Sequence, residues 1–491
     1  MHGRRRQWLG HASRSVRRRR ARGDPEPDRR IAHRGRRHDP GAGRVPRRDR
    51  RAAGLRKRTV PAQSRVDGHR APDGSEGGAR SHRHGSPSGR SRCRCAARVH
   101  RMTDLSKLSV SEVLAESSRR TGGLTDLGDG PFVEPLGLFM DSLHRDARLN
   151  DLGALIASER ALMHTVNRLN YVNDRRMIPA IAEQRIVKPV FIIGMPRTGT
   201  TILHDILAKD PANRAPMTWE TMFPSPPPQR ATFRTDPRIA QCAALFPAQQ
   251  EQNPGFEAIH PTGPELTQEC VVMMGEAMCT PLFHNQFRVP TFEDWVDLDA
   301  DWSHVYAFHH MQLQHLQSGY EGDRWVLKTG AHLWGLEHLL ATYPDARIVF
   351  THRDPVKSMT SYASLTTKVR AVGSDQVDPA EVAADWIPRL QRVLINGIRV
   401  RAEREYPEAV FHDMLFRDFI TDQFAVVEQI YDALDIEMSD EGAAAMQAFI
   451  AANPPGVHGV HSYTPEEYSI DPAQVRSEFR EYIEHFDLPP E

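Results

Sequence analysis

The sequence predicts a three-layer α/β/α fold, in which a central parallel sheet lies between helices and a disordered basic segment precedes the folded part. Two observations support this fold class. From residue 190 onward, short apolar runs alternate with longer helical patterns, and parallel strands need such crossover connections. Residues 1–101, in contrast, contain one Ile and no Phe or Tyr, so they have too few large apolar side chains to build a core.

The individual elements follow from their hydrophobic periods. Apolar residues recur at helical spacing in residues 152–171. The run 190–193 is continuously apolar, as expected of a strand buried on both faces, and 346–351 is predicted as a further strand. The Pro-rich stretch 211–264 is predicted to be an irregular binding surface or lid. The predicted strands are 190–193, 324–328, 346–351 and 409–412. The predicted helices are 109–119, 135–143, 152–171, a helix starting at Thr200, 265–278, 302–317, 331–342, 355–362, 380–405, 421–434, 440–450 and 471–486.

The charge divides the chain at about residue 101. Residues 1–101 hold 31 basic and 8 acidic side chains, whereas residues 102–491 hold 33 basic and 55 acidic ones. Segment 1–101 could be a nucleic-acid or membrane-binding arm, an organelle transit peptide, or the product of an upstream start codon. We favour the last interpretation, since ordinary patterning begins at Met102, and we expect one folded domain over 102–491.

Cysteine spacing and hydropathy indicate the class of protein. The five cysteines form no paired pattern, which is typical of a reduced protein. The sequence has neither an apolar run of about 18 residues nor a signal-peptide core. We therefore expect a cytoplasmic protein without a transmembrane segment, and the oligomeric state is left open.

The stretch 189–204 predicts a strand, a glycine-bearing turn and a helix start. Such a unit directs backbone N–H groups and a helix N-terminus at one point, which attracts phosphate or sulfate. The turn approaches the Walker pattern G-x-x-x-x-G-K-[ST]: Gly194, Gly199 and Thr201 fit, but Thr200 replaces the lysine and Arg197 lies inside the loop. A phosphate-bearing donor other than ATP or GTP is favoured. A P-loop kinase or nucleotidase with a degenerate loop, and a glycine turn that binds nothing, remain alternatives.

Two further strand ends carry charged or hydroxyl residues. Lys328 ends the predicted strand 324–328, and Arg353 follows the strand 346–351, with Ser361 about two helical turns later. Ligands of open α/β sheets bind at the carboxyl ends of the strands. A guanidinium with a hydroxyl suits a second phosphate, so the sequence predicts a nucleotide with a phosphate at each end of its ribose.

These motifs give the sequence a family resemblance. The run Pro196–Thr201, the Arg353-x7-Ser361 spacing and the segments 325–328 and 332–336 occur in a characteristic order. The chain resembles the sulfotransferases that use 3′-phosphoadenosine 5′-phosphosulfate (PAPS), more narrowly the bacterial branch with the Pro-Arg-Thr-Gly-Thr-Thr loop. The resemblance covers roughly residues 185–435.

The resemblance implies transfer of a sulfuryl group from PAPS to a hydroxyl group of a small-molecule or lipid-like acceptor, without a metal. Arg197 and Lys328 would stabilise the charge on the bridging and sulfuryl oxygens. Arg353 and Ser361 would hold the 3′-phosphate. The 5′-phosphate would be held by backbone N–H groups of Thr198, Gly199, Thr200 and Thr201.

Several residues are candidates for the general base. His332 has an ordinary pKa that suits proton abstraction, but its position also suits packing against its own helix. Rival bases are Glu220, Glu265 and Glu269. Residues 454–463 are expected to fold over the nucleotide, and no nucleic-acid partner is expected for the folded domain. A nucleic-acid-binding protein that acts through the Arg-rich arm is the remaining alternative.

Overall fold

The computed structural model describes residues 109–258, 261–320, 322–403, 406–454 and 462–491. The expectations for segment 1–101, and for most of the loop 454–463, lie outside these residues. None of the helices in the described ranges has both the length and the apolar character needed to cross a membrane.

Five strands of the described chain form one sheet in the order β2-β3-β1-β4-β5, and every neighbouring pair is parallel. This confirms the predicted central parallel sheet with flanking helices. The two-residue strand β2 was not predicted, since it is too short to show a period. The strands are β1 Val190–Gly194, β2 Asn213–Arg214, β3 Arg324–Lys328, β4 Arg347–His352 and β5 Val410–Leu415.

Helices precede the sheet and connect its strands. Each connection returns the chain to the same end of the sheet, which is what parallel pairing requires. The helices are α1 Val110–Arg120, α2 Val133–Asp146, α3 Asp151–Met177, α4 Thr200–Leu207, α5 Thr218–Met222, α6 Pro237–Ala243, α7 Phe246–Gln252, α8 Cys270–Met273, α9 Leu282–Gln286, α10 Pro290–Leu298, α11 Trp302–Gln317, α12 Leu336–Thr342, α13 Pro355–Gly373, α14 Pro379–Glu403, α15 Phe416–Thr421, α16 Gln423–Ala433, α17 Asp440–Ala452, α18 Pro472–Glu478 and α19 Arg480–His485.

The alternation of side chains along the strands creates two cores, one on each face of the sheet. Phe191 and Ile193 of β1 belong to the larger core, which includes residues of α2, α11, α12 and α14. Val190 and Ile192 belong to the second core, with residues of α4 and α16. A residue's position relative to these two faces therefore decides which parts of the site it can reach.

Three predicted helices differ from the structure, and one of them, 471–486, is divided at Phe479 into α18 and α19. Residues 265–278 do not form one helix, because the backbone at Glu269 is extended and only α8 and the 3₁₀ turn Met274–Ala277 are helical. The predicted helix 331–342 is divided into the 3₁₀ turn Gly330–Leu333 and α12. In the first turn, the Thr329 hydroxyl accepts a hydrogen bond from the Ala331 N–H at 3.2 Å, which supports a tight start directly after β3.

Gly194 is the residue on which the junction of β1 and the following loop depends. Its φ of 143° is unfavourable for any side chain, and an added Cβ would lie 2.3 Å from Thr351 Oγ1. We expect Gly194→Ala to lower the free energy of unfolding by about 3 kcal/mol or more, since backbone strain and overpacking add. Gly255→Ala is the control: φ is also positive, at 76°, but nothing lies within 4 Å of the added Cβ.

Urea denaturation monitored by circular dichroism measures both variants. The control should lose about 1 kcal/mol, the cost of a left-handed conformation alone. Equal losses for the two variants would show that the contact with Thr351 does not limit the junction.

Candidate active site

The loop between β1 and α4 has a strained, closely packed backbone. Arg197 has φ of 70°, in the left-handed region, and Gly199 has φ of 87°. A Cβ at Gly199 would lie 2.9 Å from the Phe416 ring, so α15 packs directly on the loop. Arg197 is a strained non-glycine residue, and such residues concentrate at functional sites.

Side chains of the loop and of β4 lock this backbone in place. The Thr198 hydroxyl donates to the Met195 carbonyl at 2.7 Å, and its Oγ1 lies 2.5 Å from Thr351 Oγ1. Thr198 is fully buried. Its hydroxyl group therefore stabilises the loop, and the part of Thr198 that can contact a ligand is its backbone N–H. The first N–H groups of α4 have no acceptor within their own helix, and the helix dipole favours an anion there.

The β4 end brings a second set of polar groups against this loop. Arg197 Nε donates to Ser361 Oγ at 3.1 Å, and Arg353 Nη1 donates to the Arg197 carbonyl at 3.0 Å. The residues predicted for the two phosphate sites are therefore in direct contact. Burial lowers the pKa of the Arg197 guanidinium, and the neighbouring Arg353 acts in the same direction, so an anion placed here would relieve unfavourable charge.

Arg353 is held on three sides. Its guanidinium carbon lies 4.0 Å from the centroid of the Phe416 ring, its Nη1 contacts the loop, and its Nε donates to Glu491 Oε2 at 2.8 Å. Stacking on an aromatic face orients the planar guanidinium. Phe416 thus contacts both the loop and the arginine that follows β4.

Lys328 stands at the end of β3, on the other side of β1. Its Nζ donates to Thr201 Oγ1 at 3.0 Å and forms an ion pair with Glu269 Oε1 at 2.5 Å. The Lys328 side chain is 2% exposed, whereas the Glu269 side chain is 25% exposed. Glu269 is consequently the member of this pair that a molecule entering from solvent can reach.

The structure places His332 in the core, away from Lys328. Its ring is fully buried, packs edge-on against Phe191, and its Nδ1 lies 2.9 Å from the Tyr306 hydroxyl. Phe191 belongs to the larger core, whereas Lys328 contacts Thr201 of α4, which covers the opposite face. Burial lowers the pKa of His332 well below its ordinary value. This geometry favours the packing interpretation of His332 over a role as base.

Two of the rival carboxylates have structural partners. Glu220 is fully buried and accepts two hydrogen bonds from Arg214, one of them at 2.8 Å from Nη1, and another from the Met217 N–H. Glu265 lies on the surface within 3.5 Å of Arg234. Among the acidic residues named from the sequence, Glu269 is the one paired with the strand-end lysine.

The hydrogen-bond donors of this site suit oxyanion ligands. Arg197, Arg353, Lys328 and the N–H groups at the start of α4 all offer hydrogen atoms, and two of the cations hold carboxylates of the chain itself, Glu269 and Glu491. Carboxylates and phosphates share this chemistry. The described residues include no cluster of three or more His, Cys, Asp or Glu that could hold a metal.

Sequence reasoning missed Phe416 and Glu491. Phe416 directly follows β5, so the rule that ligands bind at strand ends could have identified it. Glu491 lies 138 residues from Arg353 along the chain, and nothing in the sequence pattern links the two.

Comparison with known proteins relates this geometry to a family. A family model described as the sulfotransferase family matches residues 189–440. Two curated relatives, from Mycobacterium bovis and Mycobacterium tuberculosis, carry the name omega-hydroxy-beta-dihydromenaquinone-9 sulfotransferase Stf3. Each is 26% identical over 253 residues, which cover 50% of this chain and 63% of the relative.

Two solved structures are similar over most of the chain. The sulfotransferase STF1 from Mycobacterium tuberculosis is 30% identical, with a TM-score of 0.67, and the match covers 76% of this chain and 98% of that one. The sulfotransferase STF9 from Mycobacterium avium is 25% identical, with a TM-score of 0.70 and coverage of 77% and 97%. These matches confirm the resemblance that the strand-end motifs predict.

Proposed function

The chain belongs to the sulfotransferase family, and we propose that it transfers a sulfuryl group from PAPS to a hydroxyl group of a small-molecule or lipid-like acceptor. The choice of donor rests on one observation. The glycine loop and the Arg353–Ser361 pair form one continuous cationic surface, because Arg197 of the loop makes one hydrogen bond with Ser361 and another with Arg353. Two groups of hydrogen-bond donors meet on it, the N–H groups of the loop and the Arg353–Ser361 pair, and this supports a nucleotide that carries two separate phosphate groups.

In this proposal, each end of the donor has its own group of residues. The N–H groups from Thr198 to Thr201 bind the 5′-phosphate, and Arg353 and Ser361 bind the 3′-phosphate. Arg197 lies between the two and contacts Ser361, so we assign it to binding as well as to charge stabilisation. The anion chemistry of these groups fits the donor without a metal.

PAPS supplies the sulfuryl group, and the residues of this chain supply position and charge. Lys328, fixed by Thr201, stabilises the negative charge that develops on the oxygens during transfer. Glu269 accepts the proton of the acceptor hydroxyl, since its carboxylate lies beside Lys328 and is accessible. This assignment replaces His332 as the base.

The acceptor is proposed from the relatives. The compound in the name of the two curated relatives is a hydroxylated dihydromenaquinone, which combines a long apolar body with an alcohol. This supports a lipid-like alcohol as the acceptor class for the present chain.

Donor choice is tested by thermal shift on the full chain with the desulfated nucleotide PAP and, separately, with ATP and Mg²⁺. We expect PAP to raise the melting temperature and ATP to have little effect.

The variant Arg353→Ala should lower the affinity for PAP about 10- to 100-fold, the loss expected for charge-assisted hydrogen bonds. The control Arg399→Ala removes an exposed arginine of α14 and should leave the shift unchanged. Stabilisation by ATP with Mg²⁺ but not by PAP would contradict the proposal.

The base assignment is tested by steady-state kinetics with PAPS and an alcohol acceptor. Glu269→Gln should lower kcat about 10²- to 10⁴-fold, the usual contribution of a positioned base, with little change in PAP affinity. Glu265→Gln, a change of the same kind four residues away on the surface, should retain activity. If a folded His332→Gln variant loses kcat while Glu269→Gln retains it, the assignment of Glu269 is wrong.

A further inference from the structure

The last segment of the sequence, Leu488–Glu491, lies against the end of β4. Leu488 is buried, and its N–H donates to the Ile483 carbonyl at 3.0 Å. Just before it, the ring of Phe486 stacks on His352 with centroids 3.7 Å apart. These contacts bring the chain to the strand end that also carries Arg353.

Glu491 makes two contacts at this strand end. Its N–H donates to Asp354 Oδ2 at 2.9 Å, and its side chain accepts from Arg353 Nε at 2.8 Å. The Arg353 side chain is 18% exposed and that of Glu491 is 25% exposed, so the ion pair lies at the mouth of the site and not in the core.

We propose that Glu491 is an internal competitor of the donor nucleotide: its carboxylate occupies the Nε edge of Arg353 and has to leave before a phosphate can bind there. This inference rests on the proposed function, because it assigns Arg353 to the 3′-phosphate. A carboxylate and a phosphate use the same donors of a guanidinium. Two anions so close together repel each other, so one excludes the other.

The rest of the segment need not move. Asp354 is held from two other sides: it accepts from the Val356 N–H at 3.0 Å and from both terminal nitrogens of Arg476, at 3.2 and 2.8 Å. The Glu491 N–H can therefore stay on Asp354 while the side chain rotates towards solvent. The competitor is a single side chain on a fixed backbone, and its partly exposed ion pair is weak enough for a nucleotide to displace.

The first experiment is isothermal titration of the full chain with PAP and with adenosine 5′-phosphate, which lacks the 3′-phosphate. Glu491→Gln should bind PAP about two- to fivefold more tightly than the native chain, the range expected for loss of a partly exposed ion pair. Its affinity for adenosine 5′-phosphate should not change. The control Glu484→Gln removes the same charge from the exposed face of α19 and should match the native chain. Equal PAP affinities, or an equal gain for both nucleotides, would overturn the inference.

A second experiment needs no nucleotide. Phenylglyoxal labelling followed by peptide mass spectrometry measures how accessible the Arg353 guanidinium is. Arg353 should be labelled faster in Glu491→Gln than in the native chain, and inorganic phosphate should protect it at a lower concentration in the variant. Equal labelling and protection would overturn the competition. If no variant bound PAP but the labelling difference appeared, the donor assignment would fail while Glu491 would stand as a competitor of another oxyanion.

Discussion

The hydrogen bond from Arg353 Nη1 to the Arg197 carbonyl is the contact on which the candidate site depends. Arg197 sits in a left-handed conformation, which costs an ordinary residue about 1 to 2 kcal/mol. The Arg353 guanidinium stabilises that turn at the carbonyl, while Arg197 Nε returns a hydrogen bond to Ser361 on α13. The loop that follows β1 and the residues that follow β4 thus form one unit.

The sheet explains why these residues meet. In the parallel register, Gly194 pairs with Thr351 and Ile192 pairs with Lys328, so the ends of β4 and β3 lie on either side of the glycine loop. Phe416, at the end of β5, then packs on Arg353 and on Gly199. One edge of the sheet holds the proposed phosphate-binding groups on one side of the loop and the proposed catalytic pair, Lys328 and Glu269, on the other.

The sequence predicted the parts of the site that depend on local pattern. Apolar strands and the strand-end rule predicted the parallel sheet, which the structure confirms. They also predicted the glycine loop, Lys328 and the Arg353–Ser361 pair as site residues, and the structure brings these residues together. The position of His332 was not predictable in this way, because it depends on which face of the sheet a residue packs against. Glu269 was one of several candidates, and only its ion pair with Lys328 distinguishes it. The contact of Glu491 joins distant parts of the chain and leaves no periodic signal.

The central claim is that one continuous surface binds both phosphates of a single nucleotide. Its most direct test is to compare, by isothermal titration of the native chain, the affinity for PAP with the affinities for adenosine 5′-phosphate and adenosine 3′-phosphate. Each missing phosphate should weaken binding about 10-fold or more, since charge-assisted hydrogen bonds are lost, and PAP should bind with one molecule per chain. Binding of either monophosphate as tightly as PAP would contradict the account.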